Sequence, residues 1–184
     1  MSIQTTNTHL LIMIASALLL FLSACDSGIE ITPEAHIENA KKFIAEGKLN
    51  ESTIELKNAL QKESNLPEAR WLLGTIYLEY RNGMAASKEL RDAQTLGFDS
   101  PEMEAKLLRA VLYQGKFQDV IDKTADSDGQ TIEFLILRAN AFLGMKKYLD
   151  ASATFNRALA AAPDSVDAMT GLAQVSLIEK KTDD

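Results

Sequence analysis

The fold of this chain is decided by residues 67–100, which read PEARWLLGTIYLEYRNGMAASKELRDAQTLGFDS. The stretch opens with Pro67 and Glu68, and the same Pro-Glu pair begins at Pro33 and at Pro101, so that the three pairs stand 34 residues apart. A proline at the first position of a helix loses only an N–H that would have no partner, and an acidic residue beside it suits the positive end of the helix dipole. Each of these prolines is therefore predicted to open a helix.

Small residues recur at fixed places behind each proline. Counted from the start of each unit, they fill the eighth, twentieth and twenty-seventh positions: Ala40, Gly74, Ala139 and Ala173; Ser52, Ala86 and Ala151; Ala59, Ala93 and Ala158. Large apolar side chains fill the eleventh and twenty-fourth positions: Phe43, Tyr77, Val111 and Phe142; Leu56, Leu90 and Phe155. Two antiparallel helices in close contact need small side chains where they approach each other. The pattern therefore predicts successive helical hairpins.

This order of small and large residues at a period of 34 is similar to the tetratricopeptide repeat. The resemblance implies an all-α fold, an α-solenoid of about four helical hairpins plus one further helix. The predicted units are residues 33–66, 67–100, 101–131, 132–165 and a partial unit at 166–184. The third unit is expected to be the loosest, because it is shorter and has Leu108 and Val120 at positions that are small elsewhere. Residues 125–130 are turn-forming and should end its second helix early.

The fifth unit is predicted to form one helix, with three apolar residues that only a further helix would cover: Met169, Leu172 and Leu177. Each unit of a solenoid buries its apolar face only against its neighbours. We therefore expect the chain to be a fragment of a longer repeat protein. The alternative is a frayed C-terminal capping helix, since terminal repeats are often atypical.

The N-terminus carries a second signal. Residues 10–22 form an almost continuous apolar run, shorter than the ~20 residues of a membrane-spanning helix but typical of a secretory signal. The run leads into Leu22-Ser-Ala-Cys25, which resembles a bacterial lipobox, although no Lys or Arg precedes it. The resemblance implies a lipoprotein signal peptide at residues 1–24, a diacylglyceryl group on the thiol of Cys25, and a tether at residues 25–32.

Lipidation at Cys25 predicts a protein that is held on a bacterial membrane by acyl chains such as palmitate and that faces the periplasm. Asp26 resembles an inner-membrane retention signal of enteric lipoproteins, but an ordinary residue in a tether explains it equally well, so the inner and outer membranes both stay open. An uncleaved anchor and a wrongly assigned start are other interpretations of residues 1–24.

Composition argues against a nucleic-acid partner, because the net charge is −7 and phosphates require basic surfaces. Cys25 is the only cysteine, which excludes a disulfide within the chain. His9 would leave with the signal peptide, so that His36 remains alone and no Cys–His pair or multi-histidine metal site can form. No enzyme activity, cofactor or metal is expected.

Two acidic residues before a glycine, Asp126 and Asp128, suggest a calcium loop. The ligand spacing fails, because Thr124 would occupy the first position and Leu135 the twelfth, where a bidentate glutamate belongs. We interpret these residues as part of a turn.

Resemblance to the repeat family also implies a groove, lined by the second, fifth, ninth, twelfth and thirteenth positions of the first helices. The candidate partner-binding residues there are Ile37, Lys41, Trp71, Thr75, Leu78, Arg109, Leu112, Ile136 and Asn140. The second position is acidic throughout: Glu34, Glu68, Glu102, Glu133 and Asp167. An apolar floor with scattered polar groups suits a protein or peptide partner, either extended or as an amphipathic helix.

Trp71 is the best single anchor in this groove, because aromatic residues dominate interface energies. The same apolar stripe is equally consistent with packing between neighbouring repeats. The carboxylate clamp of chaperone-binding tetratricopeptide domains is not reproduced at these positions, which disfavours a chaperone tail as the partner.

A narrower resemblance rests on residues 54–62, 67–79, 88–93 and 107–117, which resemble the N-terminal repeats of the PEP-CTERM-system tetratricopeptide lipoproteins, the PrsT family. The resemblance implies a scaffold in exopolysaccharide production and exosortase-linked protein sorting, and members of that family are several times longer. Two alternatives remain. One is a lipoprotein of outer-membrane or pilus assembly, and the other is the anchored repeat region of a longer enzyme.

Overall fold

Every regular element in the described part of the chain is an α-helix. The structure is a computed structural model that describes residues 31–125 and 131–183. Its helices are α1 (Pro33–Ala45), α2 (Leu49–Lys62), α3 (Pro67–Glu79), α4 (Gly83–Thr95), α5 (Met103–Tyr113), α6 (Phe117–Lys123), α7 (Ile132–Gly144), α8 (Tyr148–Ala161) and α9 (Val166–Asp183).

The helices alternate between first helices (α1, α3, α5, α7 and α9) and second helices (α2, α4, α6 and α8). Each second helix packs against the first helix on either side of it. First helices also contact one another, α3 with α5, α5 with α7, and α7 with α9. This arrangement is an α-solenoid of four hairpins and one further helix, and it confirms the predicted fold class.

Two of the three predicted helix starts are confirmed, since α1 begins at Pro33 and α3 at Pro67. The prediction was wrong at Pro101, because α5 begins two residues later, at Met103. Here the Ser100 hydroxyl accepts a hydrogen bond from the Glu102 N–H at 3.2 Å, and the Ser100 carbonyl accepts one from the Met103 N–H at 3.0 Å. These bonds form a turn before the helix.

The small-residue positions lie where the helices of a hairpin meet. Ala40, Ala86 and Ala158 have no exposed surface, and the other small residues at these positions are also buried, with the exception of Ala173 in α9. The large residues at the twenty-fourth position, Leu56, Leu90 and Phe155, are completely buried as well. The core is therefore a row of local clusters, each shared by adjacent hairpins.

The third hairpin is the least regular one. Its second helix, α6, has only 7 residues and ends before Thr124, which confirms the predicted early end. The Thr124 hydroxyl is buried, donates to the Val120 carbonyl at 2.7 Å and accepts a hydrogen bond from Arg138 Nε at 3.1 Å. Asp126 and Asp128, the residues of the suggested calcium loop, lie outside the described residues.

Each of the four hairpins turns at the fifteenth residue of its unit, and all four of these residues have a left-handed backbone. They are Gly47, Arg81, Gly115 and Lys146, with φ values of 73°, 54°, 74° and 60°. Glycine adopts this conformation without penalty, whereas other L-residues lose roughly 1–2 kcal/mol in it. Two of the four turns therefore hold a strained cationic residue where the other two hold glycine.

The predicted signal peptide at residues 1–24, the lipidation site Cys25 and most of the tether lie outside the described residues. Within residues 31–125 and 131–183, no helix has both the length and the apolar character that a membrane span requires.

Candidate functional site

The first helices line two clefts. We call the first the N-terminal cleft; it has a volume of about 440 Å³ and is lined by residues of α1, α3 and α5 together with the turn after α1 and the start of α2. Its principal side chains are Ile44, Leu49, Trp71, Leu72, Thr75 and Lys106. Because most of these side chains are apolar, the cleft suits an apolar part of a ligand.

Trp71 is the largest side chain of the N-terminal cleft. Its ring stacks on Phe98, with centroids 5.0 Å apart and planes inclined by 24°, and the ammonium group of Lys106 lies 5.5 Å from the centroid of the indole. The indole is half-buried and also packs on the core cluster that contains Leu90. Trp71 therefore packs between repeats and at the same time lines the cleft.

Thr75 places an unusual polar group in the same cleft. Its Oγ1 is buried and has no hydrogen-bond partner among the described residues. Threonine hydroxyls in helices commonly donate to the carbonyl four residues earlier, as Thr53 does to Leu49 at 2.8 Å. The Thr75 hydroxyl is thus a buried polar group for which the described residues supply no hydrogen-bond partner.

We call the second the C-terminal cleft; it has a volume of about 730 Å³ and lies along α5, α7 and α9. Leu112, Ile136 and Ile178 supply apolar surface, and Asn140 and Gln174 supply amide groups. The strained turn residues Arg81 and Lys146 also line this cleft. The cleft is therefore larger than the N-terminal one and more polar.

Six of the nine candidate groove residues line one of the two clefts. Trp71 and Thr75 lie in the N-terminal cleft, and the C-terminal cleft contains four others: Arg109, Leu112, Ile136 and Asn140. Ile37 and Leu78 line neither cleft; they are only 6% and 4% exposed and belong to core clusters. Lys41 also lines neither cleft. The structure thus divides the predicted groove between two sites.

Both cations among the predicted groove residues form ion pairs between repeats. Lys41 Nζ in α1 lies 2.7 Å from Glu68 Oε1 in α3, and Arg109 Nη2 in α5 lies 2.8 Å from Glu133 Oε1 in α7. In both pairs the cation occupies the ninth position and the carboxylate the second position of the next unit. Hydrogen bonds to Glu68 and Glu38 raise the pKa of Lys41. Both rows of residues are visible in the sequence, but their pairing depends on how neighbouring first helices pack.

Positive charge predominates in the C-terminal cleft. Arg81, Arg109 and Lys146 line it against a single lining carboxylate, Asp167. The Arg81 guanidinium lies 4.9 Å from the ring centroid of Tyr113, and no described carboxylate forms an ion pair with Arg81 or Lys146. The predicted groove positions do not include these two cations, although their shared fifteenth position, which is glycine in two units, was a signal in the sequence.

The histidine in the described part of the chain, His36, pairs with a glutamate and not with other potential metal ligands. His36 Nδ1 in α1 lies 2.5 Å from Glu55 Oε2 in α2, within the first hairpin. Across the described ranges, His, Cys, Asp and Glu side chains form no group of three or more that could hold a metal ion.

Solved structures of three proteins share the fold. MamA (residues 41 to end) from Desulfovibrio magneticus RS-1 has a TM-score of 0.60 and 12% identity, covering 80% of this chain and 85% of that one. TTC0263, a thermophilic tetratricopeptide repeat (TPR) protein of Thermus thermophilus, has a TM-score of 0.58 and 19% identity, covering 94% and 95%. YrrB, a TPR protein with an unusual peptide-binding site, has a TM-score of 0.56 and 13% identity, covering 87% and 84%.

At these identities the similarity shows the fold alone. The chain has the fold of a tetratricopeptide repeat solenoid, as the 34-residue period predicted. No protein-family model matches the chain, and no curated protein matches its sequence.

Proposed function

We propose that this protein is a non-enzymatic scaffold that binds a polypeptide partner along its first helices. The observation that carries the proposal is the pair of clefts, which three consecutive first helices line in each case. Both clefts combine apolar surface with a few polar groups, the composition that binds short peptide segments. The shared fold of YrrB, which has a peptide-binding site, is a further reason to test peptides first.

Each cleft offers groups suited to a peptide. In the N-terminal cleft, the indole of Trp71 provides apolar surface for a side chain, and the buried Thr75 hydroxyl can bond to a peptide N–H or carbonyl. In the C-terminal cleft, Leu112 and Ile136 provide a floor, and the amide of Gln174 can reach the peptide backbone. A single peptide that runs across consecutive first helices would contact both the N-terminal and the C-terminal cleft.

A selection experiment tests the proposal. A phage-displayed library of random 12-residue peptides is selected on the immobilised full chain, and the recovered peptides are synthesised with a fluorophore for anisotropy titration. We expect Leu112→Ala and Trp71→Ala each to weaken binding by roughly tenfold or more, since truncating an anchor in a well-packed site costs more than ~1.4 kcal/mol.

The matched control is Leu149→Ala, because Leu149 in α8 is 83% exposed and lines neither cleft. Circular dichroism spectra of all variants establish that helicity is kept. If Leu149→Ala weakens binding as much as Leu112→Ala does, or if the library yields no binding peptide, the clefts are not the binding site. If Trp71→Ala loses helicity, Trp71 is a core residue and not an anchor.

The proposed location is the periplasmic face of a bacterial membrane, with the lipid-modified Cys25 as the anchor. The support is the similarity of residues 22–25 to a lipobox after an apolar segment. Cys25→Ser is expected to move the protein from the membrane fraction to the soluble fraction and to abolish labelling by a palmitate analogue. Ser23→Thr serves as a control that keeps the cysteine. Labelling of the Cys25→Ser variant by the palmitate analogue at the wild-type level would refute the lipid anchor.

The proposed pathway is exosortase-linked sorting of PEP-CTERM proteins together with exopolysaccharide production. It rests on the resemblance of residues 54–62, 67–79, 88–93 and 107–117 to PrsT lipoproteins. Outer-membrane or pilus assembly, and the repeat region of a longer enzyme, are the alternatives. The genomic sequence after codon 184 and the adjacent genes distinguish them: an exosortase and polysaccharide cluster favours the first role, secretin or assembly genes the second, and a downstream catalytic domain the third.

A further inference from the structure

Arg81 and Lys146 share three properties that no other pair of described residues shows together. Both occupy the fifteenth position of their units, both have a positive φ, and both line the C-terminal cleft as cations. The equivalent residues, Gly47 and Gly115, show that glycine completes the same turn without strain. A strained residue at a position where an unstrained one suffices is a reason to look for a function of its side chain.

The surroundings of the two side chains leave their charges available. Both side chains are exposed, Arg81 lies over the ring of Tyr113, and neither Arg81 nor Lys146 forms an ion pair with a described carboxylate. Arg109, the third cation of the cleft, is already paired with Glu133. The cleft therefore keeps a local excess of positive charge in a chain whose net charge is −7.

We infer that the C-terminal cleft binds an acidic peptide segment, with Arg81 and Lys146 as the cations that contact its carboxylates. This inference rests on the proposed function and adds the chemistry of the partner. The Arg81 guanidinium can bind a carboxylate through two parallel hydrogen bonds, and the Lys146 ammonium adds a second point of attraction. Apolar residues between the carboxylates of the peptide pack on Leu112, Ile136 and Ile178.

A purely structural explanation competes with this one. Arg81 follows the carboxyl end of α3, and Lys146 follows that of α7, where a cation interacts favourably with the helix dipole. If the dipole is the reason for these cations, their replacement by glycine changes stability alone and leaves peptide binding intact. If the inference is correct, the same replacement weakens binding of acidic peptides and does not lower stability, because it relieves the strain.

The first measurement is the composition of peptides selected from the random 12-residue library. On the wild-type full chain, we expect Asp and Glu to be enriched at least threefold over the unselected library. The double variant Arg81→Gly/Lys146→Gly should lose that enrichment. Selected peptides without acidic enrichment would overturn the inference and leave the proposed function standing, whereas a library that yields no binding peptide would overturn both.

The second measurement uses the tightest acidic peptide and a counterpart in which Gln and Asn replace every Glu and Asp. We expect the acidic peptide to bind the wild type at least tenfold more tightly than its counterpart, and the double glycine variant to lose that preference. The matched control, Lys57→Gln/Arg91→Gln, removes the same charge from exposed residues that line neither cleft and should change the affinity less than threefold.

A charge-reversal variant controls for any change of backbone conformation that glycine introduces. Arg81→Glu/Lys146→Glu keeps side chains at the strained positions and should reverse the preference, so that a peptide with Lys at the acidic positions binds more tightly than the acidic one. Unchanged affinity of either variant for the acidic peptide would overturn the inference. Urea unfolding of the glycine variant should show a midpoint equal to or above that of the wild type.

Discussion

At the scale of single residues, Gly83, the first residue of α4, lies directly against backbone atoms of the next repeat. A Cβ atom on this residue would lie 2.4 Å from the carbonyl oxygen of Ala110 and 3.0 Å from the backbone nitrogen of Gln114. The Gln114 side chain donates to the Gly83 carbonyl at 3.1 Å and to the Ser87 hydroxyl at 2.8 Å. Gly83 therefore sets the distance between the second and third hairpins.

We predict that Gly83→Ala lowers the free energy of unfolding by about 1–3 kcal/mol, because backbone atoms must move to admit the methyl group. Gly144→Ala is the matched comparison. Its Cβ atom would meet the ring of Phe117 at 2.5 Å, but that half-buried side chain can rotate, and alanine favours the helix by about 1 kcal/mol. Urea titration should show the larger loss for Gly83→Ala; an equal or smaller loss would contradict the close contact with α5.

The sequence predicted core residues better than it predicted cleft-lining residues. Leu56 and Phe155 could be assigned to the core because they recur at the same position in a periodic pattern, and the structure buries both completely. Ile37 and Leu78 also stand at positions expected to face a groove, yet they are buried. Whether a residue on a first helix is covered depends on the size and tilt of the next repeat, which the period does not specify.

At the scale of helices, α6 is the element with the least support. It has 7 residues, whereas the other described helices have between 11 and 18. Few main-chain bonds can form within so short a helix, and one completely buried side chain, Val120, attaches it to the core. The early end was predictable from the turn-forming residues after it, but the hydrogen bond from Arg138 to Thr124 was not.

We predict that the amides of α6 exchange through local openings of lower free energy than those of α4 or α8, as native-state hydrogen exchange will show. Thr124→Val should lower that opening energy by a further 1–3 kcal/mol or so, because it removes the acceptor for Arg138 Nε. Thr154→Val is the control, since the Thr154 hydroxyl only donates to the Asp150 carbonyl at 2.7 Å. Equal protection of α6 and α8 amides would contradict the prediction.

The ion pair between Lys41 in α1 and Glu68 in α3 predicts how the free energy of unfolding depends on pH. Hydrogen bonds to Glu68 and then Glu38 raise the pKa of Lys41 above 10.5, so the folded protein holds this proton more tightly than the unfolded chain does. The stabilisation is complete below pH 10.5 and decreases as the pH rises through the raised pKa. At neutral pH and low salt, Lys41→Gln should lower the unfolding free energy by about 0.2–1 kcal/mol.

That difference between Lys41→Gln and wild type should shrink above pH 10.5, as paired urea titrations at neutral and alkaline pH will measure. Lys42→Gln, on the same helix but outside the ion pair, is the control and should show little effect at either pH. A deficit in Lys41→Gln that stays constant with pH would mean that lost side-chain packing, and not the ion pair, is responsible.

At the scale of the whole solenoid, the geometry of the clefts explains why the cleft-lining residues were harder to predict than the fold. The hairpins follow from residues that are close in sequence, so a 34-residue period is sufficient to identify them. Each cleft needs three consecutive first helices, and its width depends on contacts between residues one or two units apart, such as Arg109 with Glu133. A period indicates which residues are equivalent; it does not indicate which of them remain open.

The same architecture predicts that the N-terminal and C-terminal ends of the solenoid unfold independently, because each repeat is stabilised only by its neighbours. Trp71 is the only tryptophan, and it packs on the cluster of Leu90, so its fluorescence reports on α3 to α5. Phe155 belongs to a separate cluster formed by α7, α8 and α9. Phe155→Ala should therefore remove about 3–5 kcal/mol from the C-terminal end and leave the surroundings of Trp71 folded.

In urea titrations of Phe155→Ala, circular dichroism should fall at lower denaturant than tryptophan fluorescence does, so that the two transitions separate. Leu90→Ala, a completely buried residue beside Trp71, is the matched control and should shift the fluorescence transition itself. If Phe155→Ala shifts both transitions equally, the hairpins unfold as a single cooperative unit. In that case, neighbour contacts such as that between Arg109 and Glu133 would transmit stability along the whole stack, and a ligand in the C-terminal cleft would stabilise the N-terminal cleft as well.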